Sequence, residues 1–396
     1  MQLPDSLSLY IHIPFCRSRC GYCDFNTYAG LENLIDEYVE ALVKEIVRTS
    51  VNIPQTCFIH TIFFGGGTPS LLSSHQFEKI INSICGNYAV SLNEISTEAN
   101  PTCLSLPYLK GLKKAGINRL SLGVQSASQS DLTILGRRHS FEDVRESVAD
   151  ARKAGFENIN LDLIFGIPEQ SMASFKETLE NAIQLSPEHL SLYALTIEAG
   201  TPLAMQIDRE LIPRPDEDLA ADMYLYAMDR LEEAGFDQYE ISNWSCGENK
   251  RCLHNLQYWH NFNYLGFGAG AHSHYGNVRW ENEKTIPEYI NSVEKILANN
   301  GILSPAGIFP NYLETKDEIS ETMMVGLRLT NEGICEDNFK KQFGLSLTEV
   351  YPNEIMELIN QKLLEWVLID NRMHLRLTKE GRLLGNQVFL QFILDD

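Results

Sequence analysis

Cys16, Cys20 and Cys23 sit in the stretch Pro14-Phe15-Cys16-Arg17-Ser18-Arg19-Cys20-Gly21-Tyr22-Cys23, separated by three and then two residues. Thiolates at that spacing can wrap around one small metal centre. Pro14 and Gly21 mark the stretch as a loop, a poor place to bury three unrelated thiols. Structural zinc requires four protein ligands, and the stretch offers three. A 4Fe-4S cluster on three thiolates keeps one iron open to bind a small molecule, which a four-cysteine electron-transfer cluster cannot do. The count therefore points to a reactive cluster.

Such a loop needs rigid elements to hold it. An apolar strand, Leu7-Ser8-Leu9-Tyr10-Ile11-His12-Ile13, runs straight into it. Ile35, Tyr38, Val39, Leu42 and Ile46 then recur at helical spacing, and a β-branched and aromatic run over 57–64 ends at Gly65-Gly66-Gly67-Thr68-Pro69. The alternation continues with helices over 75–84, 106–115, 141–154 and 174–185 and strands over 93–98, 119–125, 158–165 and 189–195. Gly116 and Gly155 stop two of the helices. Six strands alternating with helices predict a parallel sheet in an α/β fold. A doubly wound sheet gathers its site at one switch point, whereas a barrel draws site residues from many strand ends. Here all six ends carry candidate residues: the cysteine loop, the triple glycine, Glu98, Gln125, Asp162 with Gly166, and Tyr193-Ala194. The expectation is a six-stranded partial (β/α) barrel over residues 1–238.

Beyond it, a helix over 216–234 leads to an aromatic and glycine-rich linking segment, 239–310, with little periodicity. Residues 311–396 read as three helices, a hairpin turning at Asp370-Asn371 and a last helix, a winged-helix-like module. That module holds nine Lys and Arg against fifteen Asp and Glu, a net −6, which argues against nucleic acid as its partner. The whole chain, 396 residues with a formal charge of −21, is likewise ill suited to nucleic acid or an anionic membrane surface. It carries no run of 18 apolar residues and no basic leader at Met1-Gln2-Leu3-Pro4-Asp5, so the sequence reads as a cytoplasmic protein and not an integral membrane protein. The odd number of cysteines, nine, fits reduced thiols. Cys57, Cys85 and Cys103 are expected in the core, whereas Cys246, Cys252 and Cys335 have no evident ligand partner.

The three cysteines, with Tyr22 before the third, resemble the signature of radical S-adenosylmethionine (SAM) proteins. In that superfamily the open iron of a 4Fe-4S cluster binds SAM. Gly65-Gly66-Gly67-Thr68-Pro69 resembles the GGGTP element that meets the amino end of SAM. Glu98-Ala99-Asn100-Pro101 resembles an E-x-N-P element, and Asp162-Leu163-Ile164-Phe165-Gly166 a D-L-I-x-G element. Ser121-Leu122-Gly123-Val124-Gln125-Ser126 and Leu135-Gly136-Arg137-Arg138 resemble the segments that supply a Gln and an Arg. The resemblance implies that Tyr10, Tyr22, Gly66 and Glu98 contact the cluster-bound SAM. Gly67, Thr68, Gln125, Arg137, Asp162 and Ala194 would line the adjoining region, where some relatives hold a second SAM.

Together these elements are similar to those of the anaerobic coproporphyrinogen III oxidase family. One branch comprises coproporphyrinogen III dehydrogenases, which oxidatively decarboxylate propionates with a 5'-deoxyadenosyl radical; the other comprises HemW-type heme chaperones. The first branch carries a further Cys two residues past the third, where this chain has Phe25. The second carries H-N-x-x-Y-W, matched here by His254-Asn255-Leu256-Gln257-Tyr258-Trp259. The resemblance thus implies heme as cargo, delivered to heme-accepting respiratory proteins, with the dehydrogenase as the alternative activity. It makes His254 a candidate heme ligand, with His260, His272 and His274 as rivals. The competing reading is that His254 packs inside an aromatic-rich linker. A third possibility is an interaction module built on the winged-helix-like region.

Overall fold

A computed structural model of the chain describes residues 6–294 and 302–394. Residues 1–5, on which the targeting argument rests, lie outside the described residues.

Strand β1 (Ser6–Ile13) leads to a two-residue parallel pair, β2 (Phe15–Cys16) with β3 (Tyr28–Ala29), that clasps the cysteine loop at its base. The sheet proceeds from β1 through β4 (Phe58–Gly66), β5 (Ala89–Ala99), β6 (Arg119–Gln125), β7 (Ile159–Phe165) and β8 (His189–Ala194), all parallel neighbours. The connections run through helices α1 (Ile35–Ser50), α2 (Ser74–Asn87), α3 (Leu106–Lys114), the short α4 (Gln129–Ile134), α5 (Phe141–Lys153) and α6 (Met172–Gln184). Two more helices, α7 (Pro202–Asp208) and α8 (Glu217–Glu233), follow β8.

The sheet is wider than six strands and open. Beyond β8 it continues antiparallel through β10 (Asn243–Ser245) to β9 (Asp237–Glu240). On the far side of β1 lies β11 (Tyr264–Phe267), a seventh parallel strand, followed by antiparallel β12 (His272–Tyr275), β13 (Val278–Asn282) and β14 (Gly307–Tyr312). Segment 239–310 therefore builds both margins of the sheet. It also supplies helices α9 (Leu253–Trp259) and α10 (Ile286–Glu294). Its strands escape a periodicity reading because they are three to six residues long and pair with partners remote in sequence, as Ser8 does with Tyr264.

Strand alternation divides the molecule into two faces. Leu7, Leu9, Ile11 and Ile13 are fully buried against the helices, where α1 presents Tyr38, Val39, Leu42 and Ile46. Burying each such side chain contributes about 1.5–3 kcal/mol. The alternate residues turn to the concave face and are largely polar: Ser8, Tyr10 and His12 on β1, Glu94, Ser96 and Glu98 on β5, and Arg119 and Ser121 on β6. The sheet thus wraps a polar interior, with the apolar core outside it.

Residues past 314 form a second core around Met323, Leu347, Tyr351, Leu375 and Phe392. Its elements are α11 (Thr315–Gly326), β15 (Ile334–Cys335), α12 (Glu336–Phe343), α13 (Leu347–Val350), α14 (Pro352–Asn360) and the hairpin β16 (Leu364–Ile369)–β17 (Arg372–Leu377). Asp370 and Asn371 both take positive φ, 49° and 59°, the two-residue turn that matches strand twist. This module seals one sheet margin, since Thr330 N donates to Tyr239 O and Ile241 N to Arg328 O, each at 3.1 Å. Among the described residues, no helix is long and apolar enough to cross a membrane.

None of the three cysteines expected in the core is fully buried: Cys57 and Cys103 are half-buried and Cys85 is exposed. The buried positions of α2 are Phe77, Ile80, Ile81 and Ile84, and the residue after Ile84 falls on the outer helix face.

Candidate functional site

The cysteine loop is fixed from three sides. At its start, Gly67 N donates to Ile13 O (2.9 Å) and Thr68 N to Phe15 O (2.8 Å), so the exit of β4 is laced to the exit of β1. A Cβ on Gly67 would lie 2.6 Å from Phe15 O, so close backbone approach requires glycine there. Gly66 has φ +108°, and a Cβ on it would enter the His12 ring. That ring is itself held, with Nδ1 2.9 Å from the Tyr10 hydroxyl and Nε2 2.9 Å from Asn26 O. The middle of the loop is gripped where Gly21 N donates to Leu135 O (3.2 Å) and Leu203 N to Gly21 O (2.9 Å). At its end, Asn26 Nδ2 donates to Ala269 O (3.0 Å) and Lys284 O (2.9 Å).

Cys16, Cys20 and Cys23 face a cavity of about 600 Å³ above the C-terminal ends of the parallel strands. Tyr22, Gly66, Gly67 and Thr68 line it on the loop side, and Glu98, Gln125, Arg137, Asp162 and Ala194 line it opposite. One space thus collects the three cysteines and nine of the residues singled out for SAM; Tyr10 lies just below, in a chamber that shares Glu98 and Asp162 with the cavity.

The donors suit a multinuclear cluster. All nine cysteines are free thiols. Among the described residues, no three His, Cys, Asp or Glu side chains are placed to hold a single metal ion. Thr68 Oγ1 lies 3.5 Å from Cys16 Sγ and Arg137 Nη1 3.5 Å from Cys20 Sγ, polar contacts of the kind that stabilise anionic sulfur. Burial pushes the Cys16 and Cys23 thiols above their ordinary pKa. Coordination to a cation would reverse that, because a metal-bound thiol is deprotonated.

Each polar wall residue has a traceable support. Arg137 Nη2 donates to Gly123 O at 2.7 Å. Glu98 accepts from Gly66 N at 3.2 Å, and its pKa is pushed up to about 8, first by burial and then by Asp162. Asp162 is raised by burial too, against hydrogen bonds from Ser121 Oγ (2.9 Å) and Asn160 Nδ2 (2.8 Å). Gln125 ends β6 at φ 66°, an uncommon conformation for a residue with a Cβ, and Ser126 N bonds back to Val124 O (2.9 Å). This strained three-residue turn aims the Gln125 side chain into the cavity.

His254 lies elsewhere. It sits on α9, which closes the opposite end of the polar interior, and it is 1% exposed. Glu94 caps that helix, accepting from Leu253 N (2.8 Å) and His254 N (3.4 Å). Both imidazole nitrogens are engaged, Nδ1 with Thr61 Oγ1 (2.9 Å) and Nε2 with Tyr258 OH (3.0 Å), and the ring stacks on Phe63 at 5.2 Å. Burial pulls its pKa down to about 3. In this conformation both His254 nitrogens are hydrogen-bonded within the protein. Among its rivals, His260 pairs with Glu332 at 2.7 Å, His274 is buried, and His272 is exposed.

His12, Asn26, Glu94 and Arg119 support the site and were not singled out from the sequence. The signal for three of them was present as period-two polarity within otherwise apolar strands.

The comparisons agree with the geometry. Residues 10–182 match the radical SAM superfamily model and residues 313–384 the HemN C-terminal domain model. The chain is 38% identical over 392 residues to "Heme chaperone HemW" of Bacillus subtilis, covering 98% of this chain and 99% of that one. It is also 38% identical over 399 residues to the HemW of Lactococcus lactis, covering 100% and 99%. Among solved structures, coproporphyrinogen III oxidase (HemN) from Escherichia coli superposes with a TM-score of 0.82 at 24% identity, over 98% of this chain and 90% of that one, a likeness of fold. This chain belongs to the radical SAM superfamily and, within the anaerobic coproporphyrinogen III oxidase family, to the HemW-type branch.

Proposed function

We propose that this protein binds heme and delivers it to heme-accepting respiratory proteins in the cytoplasm, on a framework that holds a 4Fe-4S cluster and SAM. The observation that carries the reading is full-length similarity, 38% over 98% of the chain, to relatives named heme chaperone. Phe25 supports it: the residue is 62% exposed at the cavity mouth, at the position where the dehydrogenase branch has a further thiol.

Cys16, Cys20 and Cys23 would hold the cluster, whose open iron binds SAM and whose electron can cleave it. Tyr10, Tyr22, Gly66 and Glu98 would orient the amino and carboxyl end of SAM. Gly67, Thr68, Gln125, Arg137, Asp162 and Ala194 would shape the space beside it. Delivery requires an accessible site and moderate affinity, because the acceptor must win the heme.

The test is anaerobic reconstitution with iron and sulfide, followed by parallel assays for heme uptake and for conversion of coproporphyrinogen III with SAM and a reductant. Heme uptake without turnover is expected. Turnover would establish the dehydrogenase instead, and a chain with its cluster intact that takes up no heme would overturn the proposal.

A further inference from the structure

Beneath the 600 Å³ cavity lies a second chamber of about 210 Å³. Glu98, Ser121, Asp162 and Tyr193 line both spaces, so the two communicate through a shared wall. The floor is α9, through His254, Asn255 and Tyr258. A space of this size lies below the roughly 300–1,000 Å³ of pockets that enclose whole drug-sized ligands, and admits a small ligand or one arm of a large one.

Arg119 also lines the chamber. It opens β6 with its side chain on the concave face and is 2% exposed. Its Nε is buried with no hydrogen-bond partner, and among the described residues no hydrogen bond or ion pair holds the guanidinium. The neighbouring carboxylates are engaged elsewhere. Glu94 caps α9 and accepts from Ser96 Oγ (2.9 Å), while both oxygens of Asp162 are taken by Ser121 and Asn160. A guanidinium stays charged at any physiological pH; burial opposes that charge and the nearby Cys252, Glu94, Tyr239 and Asp162 groups favour it through space, yet Nε is left without a hydrogen-bonded acceptor.

We propose that this chamber is an anion subsite in which Arg119 binds one carboxylate group, presented either by a free small carboxylate or by an arm of a larger ligand seated in the upper cavity. The planar fork of arginine matches a carboxylate with two parallel hydrogen bonds. The Asn255 amide lines the chamber as a neutral partner, whereas the Tyr10 hydroxyl is engaged with His12 and the Ser191 hydroxyl with Asn160 and Asn243. Two acids also face the space, Glu98 and Asp162. Burial, and then Asp162, pushes the Glu98 carboxyl up to about 8, which lessens the repulsion an incoming anion meets from that group. The second source rests on the heme reading above, since heme carries two propionates.

The test uses the full chain, its Arg119→Gln variant, and Arg119→Lys, which keeps the charge but not the fork. Melting temperatures are measured in sodium formate and in sodium chloride at equal ionic strength, and binding is measured for heme and for heme dimethyl ester. Formate-specific stabilisation of the wild type that Arg119→Gln abolishes supports the subsite. A loss of heme affinity of about tenfold or more in Arg119→Gln, absent for the ester, assigns the carboxylate to a propionate arm. A wild type that takes up no heme defeats the heme reading and leaves the formate comparison to decide this one. If Arg119→Gln does not fold, Arg119→Lys carries the comparison. The proposal is overturned if formate acts as chloride does and substitution at Arg119 leaves heme and its ester equally bound.

Discussion

Cys20 meets the Arg137 guanidinium and Cys16 the Thr68 hydroxyl, so two of the three thiols have polar partners supplied by other elements of the fold. Replacing Cys20 by Ser removes one of three thiolates, and the anaerobically reconstituted variant is expected to lack the brown visible absorption of a 4Fe-4S cluster. Undiminished absorption would strike these cysteines from the ligand set. Glu98 makes a second prediction through its proton. In the folded chain the carboxyl titrates at about 8, against an ordinary value of 4.5. The folded state holds the extra proton across that interval, so this stabilisation is complete below the lower value and is lost as pH rises through the upper one. Glu98→Gln fixes the neutral form. In the cofactor-free protein, its melting temperature relative to wild type should climb as pH is raised from about 5 to about 8.5; a constant difference would count against the raised carboxyl. The cysteines were legible in the sequence because their spacing is local. Arg119 and Glu94 showed in the sequence only as polar positions alternating along their strands, and the concave face they share is created by strand pairing.

The loops that leave β1 and β4 form one unit, and glycine is what lets them touch. Gly66→Ala would put a methyl group into the His12 ring at a φ of +108°, with that ring already pinned by Tyr10 and Asn26. The expected cost is about 3 kcal/mol, seen as a lowered urea midpoint with an unchanged slope. Wild-type stability would show that the loop has room to shift. At this scale much was legible: the reading of 119–125 coincides with β6, and that of 189–195 with β8 to within a residue. The hairpin turn at Asp370-Asn371 was likewise written in its residue types. What stayed hidden was β9 to β13, whose short runs mix His, Tyr, Asn and Gly and owe their conformation to neighbours far along the chain.

Across the whole molecule, one carboxylate joins the barrel to its added margin. Glu45, fully buried on α1, accepts from Gly268 N (2.9 Å), Asn282 Nδ2 (2.7 Å), Tyr289 OH (2.6 Å) and the Ser304 hydroxyl. Glu45→Ala leaves those donors without their acceptor and should cost about 3–5 kcal/mol. Hydrogen exchange should quicken first at Gly268 and Tyr289 and spare the β5 to β7 ladders; uniform quickening would mean that the margin and the barrel open together. The α/β class was legible from alternation, but the width of the sheet was not, since nothing near residue 8 announces a partner at 264. That pairing has a consequence for synthesis. The ribosome releases β1 and the cysteine loop early, yet β11 and the carbonyls of Ala269 and Lys284 that tie Asn26 down emerge only after about two thirds of the chain. Until then β1 has an unpaired edge on that side and the loop that carries the three thiols lacks its anchors at Asn26.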